Sequence, residues 1–307
     1  MSTEEALGTD RGDRIAGRTE RISVIRPVWH PTALVLSHLV ALLLVATWLT
    51  PATRQWWDRF DLALFRLLND SLALGHGWQV FWAVANYRAL DLLPAVLVLG
   101  LFIVSIWGHP RDVQNQRWAV FAVLGGVLVV VPPLMELVVH QGLQYSRPSP
   151  TLVLDDALRL SHLVPSINTK DTSRACFPGD HAFVLLTVMS FFWYVGRRRD
   201  ALVASLLAAV FVLPRLVGGA HWATDILVGG GTAALLAGSW AFATPLCHRL
   251  ATLLHPLVCA VMKLVPGPLR IPEWPERLAD DAPQQGSGVI SLSIDRDPSA
   301  PPRRQAG

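Results

Sequence analysis

Six separate apolar runs, most of them near the length a helix needs to cross a lipid bilayer, restrict this chain to a membrane fold before any motif is considered. A hydrocarbon core about 30 Å thick takes roughly 20 apolar residues of helix to span. The runs lie near 32–50, 89–107, 118–139, 181–195, 201–214 and 225–244. The fourth and fifth are short, but Gly196-Arg197-Arg198-Arg199-Asp200 between them reads as a tight basic turn that keeps them apart. Basic short loops stay on the cytoplasmic side. Composition agrees, with 52% hydrophobic and only 16% charged residues. The expected fold is an all-α polytopic membrane protein, a bundle of six transmembrane helices.

Orientation follows from arginine. Arg11, Arg14, Arg18, Arg21 and Arg26 crowd the N-terminus, and the 111–117 loop is basic as well. With these and the 196–200 turn inside, six crossings leave both termini in the cytoplasm and turn 51–88, 140–180 and 215–224 outward. Residues 1–30 show neither a short apolar core nor a small-residue cleavage site, so they read as a basic cytoplasmic segment ahead of an uncleaved anchor. The 51–88 stretch carries Trp56, Trp57, Trp78, Trp82 and Tyr87, which suits a short helix in the headgroup layer, with a seventh, broken span as the alternative. The membrane domain is expected over 31–246, and 247–307 as a cytoplasmic tail that is disordered beyond about 265, where Pro, Gly and Ser accumulate. A net charge of +3, without basic stripes interleaved with aromatics, argues against nucleic acid as a partner. Cys176, Cys247 and Cys259 have no metal-like spacing and are odd in number, so neither a metal site nor a disulfide framework is expected.

Three strings carry chemistry. In PRLVGGAHWATDILVGG, Arg215 precedes His221 by six positions and Asp225 follows by four. If His221 opens a helix, Asp225 lies on the same face and accepts a hydrogen bond from one imidazole nitrogen. The other nitrogen is then a nucleophile whose growing positive charge the carboxylate stabilises. Arg215 supplies a fork for phosphate oxygens, and Gly218 and Gly219 permit a tight turn. In CFPGDH, Pro178 and Gly179 turn the chain, Asp180 caps a helix or meets an acceptor group, and His181 is placed to protonate a departing oxygen. In HQGLQYSRPS, Arg147 is a second phosphate clamp, and Lys170 and Arg174 add cations just before the helix.

At these strings the chain resembles the type 2 phosphatidic acid phosphatase superfamily. Its signature reads Lys, six residues, Arg-Pro; then Pro-Ser-Gly-His; then Ser-Arg, five residues, His, three residues, Asp. Here Arg215, His221 and Asp225 match, with Pro214 in place of serine. Pro178 and His181 match, with Gly179 and Asp180 replacing Ser-Gly. Arg147 and Pro148 match, and His140 occupies the lysine position, whose role falls more naturally to Lys170. The resemblance covers about residues 86–246 and implies a six-helix core, a phosphohistidine at His221 and no metal or other cofactor.

The departures from the signature, VPSINTKDTSRACFPGDHAF above all, look like the branch that makes lipid A 1-diphosphate. Members of that branch move phosphate from undecaprenyl diphosphate onto lipid A 1-phosphate at the periplasmic face of the bacterial inner membrane. The implied partners are therefore undecaprenyl diphosphate, lipid A or other lipid phosphates, and membrane lipid. Two other readings stay open: a lipid phosphatase built on the same site, and a catalytically silent lipid-binding membrane protein.

Overall fold

The computed structural model describes Pro27 and residues 29–272. The arginine-rich start of the chain and the segment after 272 lie outside the described residues. Within them the chain is all-helical, with a single antiparallel bridge between Tyr87 and Thr169 and no strand.

Helix α1 runs Pro31–Leu49 and α2 Pro51–Asn69, each opened by a proline in its first turn, where the missing N–H removes no helical bond. Thr50 ends one and begins the other. Leu36, Leu39, Leu42 and Leu43 of α1 are all more than half exposed, as side chains facing hydrocarbon would be. Helix α2 has two faces. Trp56, Phe60 and Leu67 point away from the protein, while Asp61, Phe65 and Asn69, four apart, are buried. Gly75, at φ +136, turns the chain into α3, His76–Ala85. The 51–88 stretch thus holds two helices, neither among those with the length and apolar character of a span.

A 3₁₀ turn, Arg88–Leu92, leads into α4, Leu93–Ile106. Helix α5, Arg111–Glu136, contains Pro132 and Pro133 and loosens into a π turn over Leu137–Gly142. Prolines inside a helix withdraw amide donors from the ladder, so local unwinding nearby has a cause. Then come α6, Asp180–Val195, α7, Arg198–Val217, and a π turn, Asp225–Gly230, that continues as α8, Gly231–Phe242. Five of these segments have the length and apolar character to cross a membrane: Pro31–Leu49, Arg88–Ile106, Arg111–Gly142, Arg198–Val217 and Asp225–Phe242. The apolar α6 is shorter at 16 residues. At 1.5 Å per residue it is about 24 Å long.

Aromatic side chains knit α4, α5, α6 and α8 together. Phe102 stacks on Phe121 at 4.0 Å, and Phe191 meets Phe242 edge-on at 5.4 Å. The stretch expected as tail begins with a further helix, α9, Leu246–Leu264, whose Cys247 and Ala251 belong to that same core. Order extends past 265 as well. The Pro272 carbonyl accepts from the Gly108 N–H at 3.1 Å and from the Gln114 amide at 3.2 Å.

Candidate active site

Helix α7 ends in the segment that carries the first motif, and the turn after it is forced by close packing. Gly219 has φ +71, and a Cβ there would lie 2.6 Å from Thr151 Cγ2 and 2.8 Å from Phe65 Cε2. Only glycine fits. The Arg215 carbonyl then accepts from the N–H groups of Ala220 and His221, at 3.0 and 3.3 Å. His221 therefore sits just ahead of the helix that holds Asp225, not within it as the i+4 spacing suggests. Asp225 folds back instead. Its Oδ2 accepts the Trp222 N–H at 2.8 Å and lies 3.4 Å from His221 Nδ1. The nearer partner of Nδ1 is the Cys176 carbonyl, at 2.9 Å. Both groups facing Nδ1 are acceptors, so the proton belongs on Nδ1 and Nε2 keeps its lone pair. Asp225 is fully buried, and its Oδ1 has no hydrogen-bond partner among the described residues.

The second motif is pressed against the first through backbone. Gly179 donates its N–H to the Asp225 carbonyl at 3.0 Å, and a Cβ on Gly179 would lie 2.8 Å from that oxygen. From the other side, a Cβ on Gly230 would sit 2.6 Å from the Gly179 carbonyl oxygen and 2.7 Å from the Phe183 nitrogen. The glycines let α6 and the π turn ahead of α8 begin in contact. Gly179 holds the N-cap position of α6, and no side chain caps that end. Asp180, the first helical residue, turns to His181 instead, accepting its N–H at 2.7 Å and facing its Nδ1 at 2.9 Å. As at His221, the second ring nitrogen is left over. Burial, with the Asp225 carboxylate beside it, pushes the Cys176 thiol far above its ordinary range, so this cysteine is a structural neutral group.

The cations divide into two held and two unheld. Arg147 donates from Nη1 to Asp61 Oδ2 at 2.6 Å and to Thr224 Oγ1 at 2.9 Å, with its guanidinium 4.2 Å above the Trp222 ring. Arg215, buried, pairs with Asp91 and reaches Asn86 Oδ1 at 3.4 Å. Asn86 also takes the Lys170 N–H on its carbonyl at 3.0 Å, which sets Lys170 beside the Arg215 group. Among the described residues no carboxylate lies within ion-pair distance of Lys170 or Arg174, although, against burial, His181 and then the more distant Lys170 charge pull the Asp180 carboxyl down. Arg174 is exposed, and no contact ties its side chain to the other candidates. His140, at the signature's lysine position, is turned to Glu136 at 2.8 Å and to the Tyr145 carbonyl at 3.0 Å.

Four polar residues of this centre escape a motif search: Asp61, Asn86, Asp91 and Thr224. Asp61, Asn86 and Thr224 are all buried, and Asp61 ties two of the motifs together. Its side chain is fully buried, its Oδ1 accepts the Thr224 N–H at 2.9 Å and its Oδ2 the Thr224 hydroxyl at 2.7 Å. Burial pushes its carboxyl up, against the opposing pull of Arg147 and Thr224. One signal was available: Asp61 and Asn69 interrupt the stripe that otherwise forms the inward face of an amphipathic helix.

Comparison with known proteins agrees with this geometry. Residues 143–253 match the model of the PAP2 superfamily, a stretch that contains His181, His221, Asp225 and all four candidate cations. The chain is also similar to lipid A 1-diphosphate synthase of Escherichia coli (strain K12), 33% identical over 219 residues, covering 71% of this chain and 90% of the relative. No solved structure matches it. The arrangement of a buried His–Asp pair, a second histidine and arginines outlives the substitutions at Pro214, Gly179 and Asp180, and the chain belongs to the PAP2 superfamily as an enzyme acting on lipid phosphates.

Proposed function

We propose that this enzyme moves a phosphoryl group from undecaprenyl diphosphate to lipid A 1-phosphate through a phosphohistidine at His221. The observation that carries the mechanism is the pair of acceptors on His221 Nδ1, at 2.9 and 3.4 Å, which leaves Nε2 as the nucleophile. Nε2 attacks the terminal phosphorus, and the bond from phosphorus to the bridging oxygen breaks. The electron pair leaves with undecaprenyl phosphate, which takes a proton from His181. Asp180, at 2.9 Å, holds the His181 ring by Nδ1. An oxygen of lipid A 1-phosphate then attacks the phosphohistidine, the phosphorus–nitrogen bond breaks, and His181 recovers a proton from the acceptor. Phosphoryl transfer of this kind has a loose, highly charged transition state, so position and electrostatics carry the rate. Arg147 and Arg215 fit the transferring group. Lys170 and Arg174, outside the two close arginine–carboxylate pairs, fit the second phosphate that a transferase must hold.

The relative's name supports lipid A as the acceptor, and the sequence departures that resemble its branch support undecaprenyl diphosphate as the donor. The apparent alternative is hydrolysis by the same residues, with water as the acceptor. Purified enzyme given undecaprenyl diphosphate alone is expected to release inorganic phosphate slowly. Adding lipid A 1-phosphate is expected to speed donor consumption and yield the 1-diphosphate. Fast release indifferent to the acceptor would establish the phosphatase, and turnover of neither would return the chain to a silent lipid-binding role.

The same reading places six crossings in the bacterial inner membrane, with α6 as the short sixth, and the site on the periplasmic side. It rests on the arginines of the 111–117 and 196–200 segments, of which Arg117 and Arg197 lie near enough to repel each other. Ser166 is exposed on the long loop before α6. In a Cys259→Ser background, Ser166→Cys is expected to react with an impermeant maleimide in cells whose outer membrane alone has been opened. Labelling that requires rupture of the inner membrane would invert the topology.

A further inference from the structure

We propose that Asp61 is a positioning residue that sets the phosphate clamp and the nucleophile's helix as one unit. The inference rests on the reading of Arg147 and His221 given above. Asp61 comes from α2, ahead of the 143–253 segment that matches the superfamily, so the family's motifs do not contain it.

The atoms account for the role. A guanidinium has five N–H bonds, two of them on Nη1. Both Nη1 hydrogens of Arg147 are used, one on Asp61 Oδ2 at 2.6 Å and one on the Thr224 hydroxyl at 2.9 Å. The Trp222 ring fixes the plane of the group at 4.2 Å. What remains is the other edge, Nε and Nη2, with Asp58 Oδ1 4.0 Å from Nη2. That edge matches two oxygens of a phosphate. Asp61 thus does not compete for the substrate; it holds the unused side of the fork and determines which side faces the phosphate.

The same carboxylate also holds Thr224, by both N–H and hydroxyl. Thr224 is flanked by Ala223 and Asp225 and stands three residues after His221. One fully buried group therefore joins the arginine that grips the phosphoryl group to the turn that aims the histidine. A misplacement of about 1 Å in such an arrangement costs roughly 10²-fold in rate.

Asp61→Asn tests this with shape retained. The amide oxygen keeps the Thr224 N–H, while the NH₂ faces two donors, Arg147 Nη1 and the Thr224 hydroxyl. Expected is a loss of roughly 10²-fold in kcat/KM for the lipid diphosphate, with the thermal midpoint in detergent little changed. Arg147→Ala and the double variant complete a cycle. Because Asp61 holds Thr224 as well as Arg147, the double variant should lose more than Arg147→Ala alone but less than the product of the two single losses. Losses that multiply, or an unaffected Asp61→Asn enzyme, would overturn the proposal. Should Asp61→Asn fail to fold, Thr224→Val supports the proposal if its loss is likewise smaller in the Arg147→Ala background, and overturns it if the two losses multiply. Phosphate trapped on the enzyme tests the role of His221 separately: a phosphoenzyme still formed by His221→Ala would defeat that role whatever Asp61 does.

Discussion

His221→Ala is expected to abolish phosphoenzyme formation and to lower turnover by roughly 10⁴- to 10⁶-fold, the scale of removing a nucleophile from a preorganised site. The geometry makes the loss hard to replace. No other histidine among the described residues joins a ring nitrogen left without a partner to a buried carboxylate: His181 shares its Nδ1 with a carboxylate that is half exposed, and His140 has partners at both nitrogens. With labelled donor, wild-type enzyme quenched in alkali should retain phosphate that acid then releases, as a phosphoramidate does. His181→Ala should differ in kind. It lacks only the proton for the leaving lipid, so it should still become labelled, roughly 10²- to 10⁴-fold more slowly. Labelling of His221→Ala at the wild-type level would assign the nucleophile elsewhere.

The apolar runs and the three motifs were legible because each depends on local composition. Five segments with the character of spans coincide with expected ones; the break between α6 and α7 is shorter than the expected 196–200 turn, since only Gly196 and Arg197 lie outside the helices and Arg198, Arg199 and Asp200 form the first turn of α7. Composition misled at the other end of the chain. Leu246–Leu264 interleaves His248, Arg249, His255 and Lys263 with leucines, which reads as neither span nor core until α5 is seen covering one face. Pairings across long separations were likewise invisible. Nothing near Asp61 announces Arg147, 86 residues on, and nothing near Asp91 announces Arg215, 124 residues on. Such contacts are made by the packing of helices, and a string of residues does not contain it.

The i+4 spacing of His221 and Asp225 anticipates their proximity, 3.4 Å between Nδ1 and Oδ2, but not the way the chain brings it about. Both residues were assigned from a helical face, yet the ring precedes the helix and the carboxylate reaches it by folding back onto the Trp222 N–H. What decides the tautomer is a third group, the Cys176 carbonyl, delivered by the loop before α6. That loop also carries Gly179, which has no room for a Cβ against the Asp225 carbonyl. The Gly-Asp of PGDH is therefore explained at one of its two positions by contact: a glycine at 179 is required by the packing, whereas Asp180 serves His181.

This division of labour around His221 yields the second large effect, Asp225→Asn. A carboxylate beside a catalytic imidazole does two things: it selects the tautomer, and it stabilises the charge that grows on the ring. Where one aspartate does both, the asparagine variant loses about 10⁴-fold. Here the nearer acceptor of Nδ1 is a backbone carbonyl at 2.9 Å, which mutation of Asp225 leaves in place. The amide oxygen can still accept the Trp222 N–H, as Oδ2 does at 2.8 Å. Tautomer and turn should survive, and the charge alone should go. Expected is a fall in the rate of phosphoenzyme formation of roughly 10²- to 10³-fold, the scale of one lost electrostatic contact in a buried site. The thermal midpoint should change little. A loss near 10⁴-fold would mean that Asp225 rather than Cys176 fixes the proton on Nδ1. An unchanged rate would make Asp225 a structural anchor of Trp222 and nothing more.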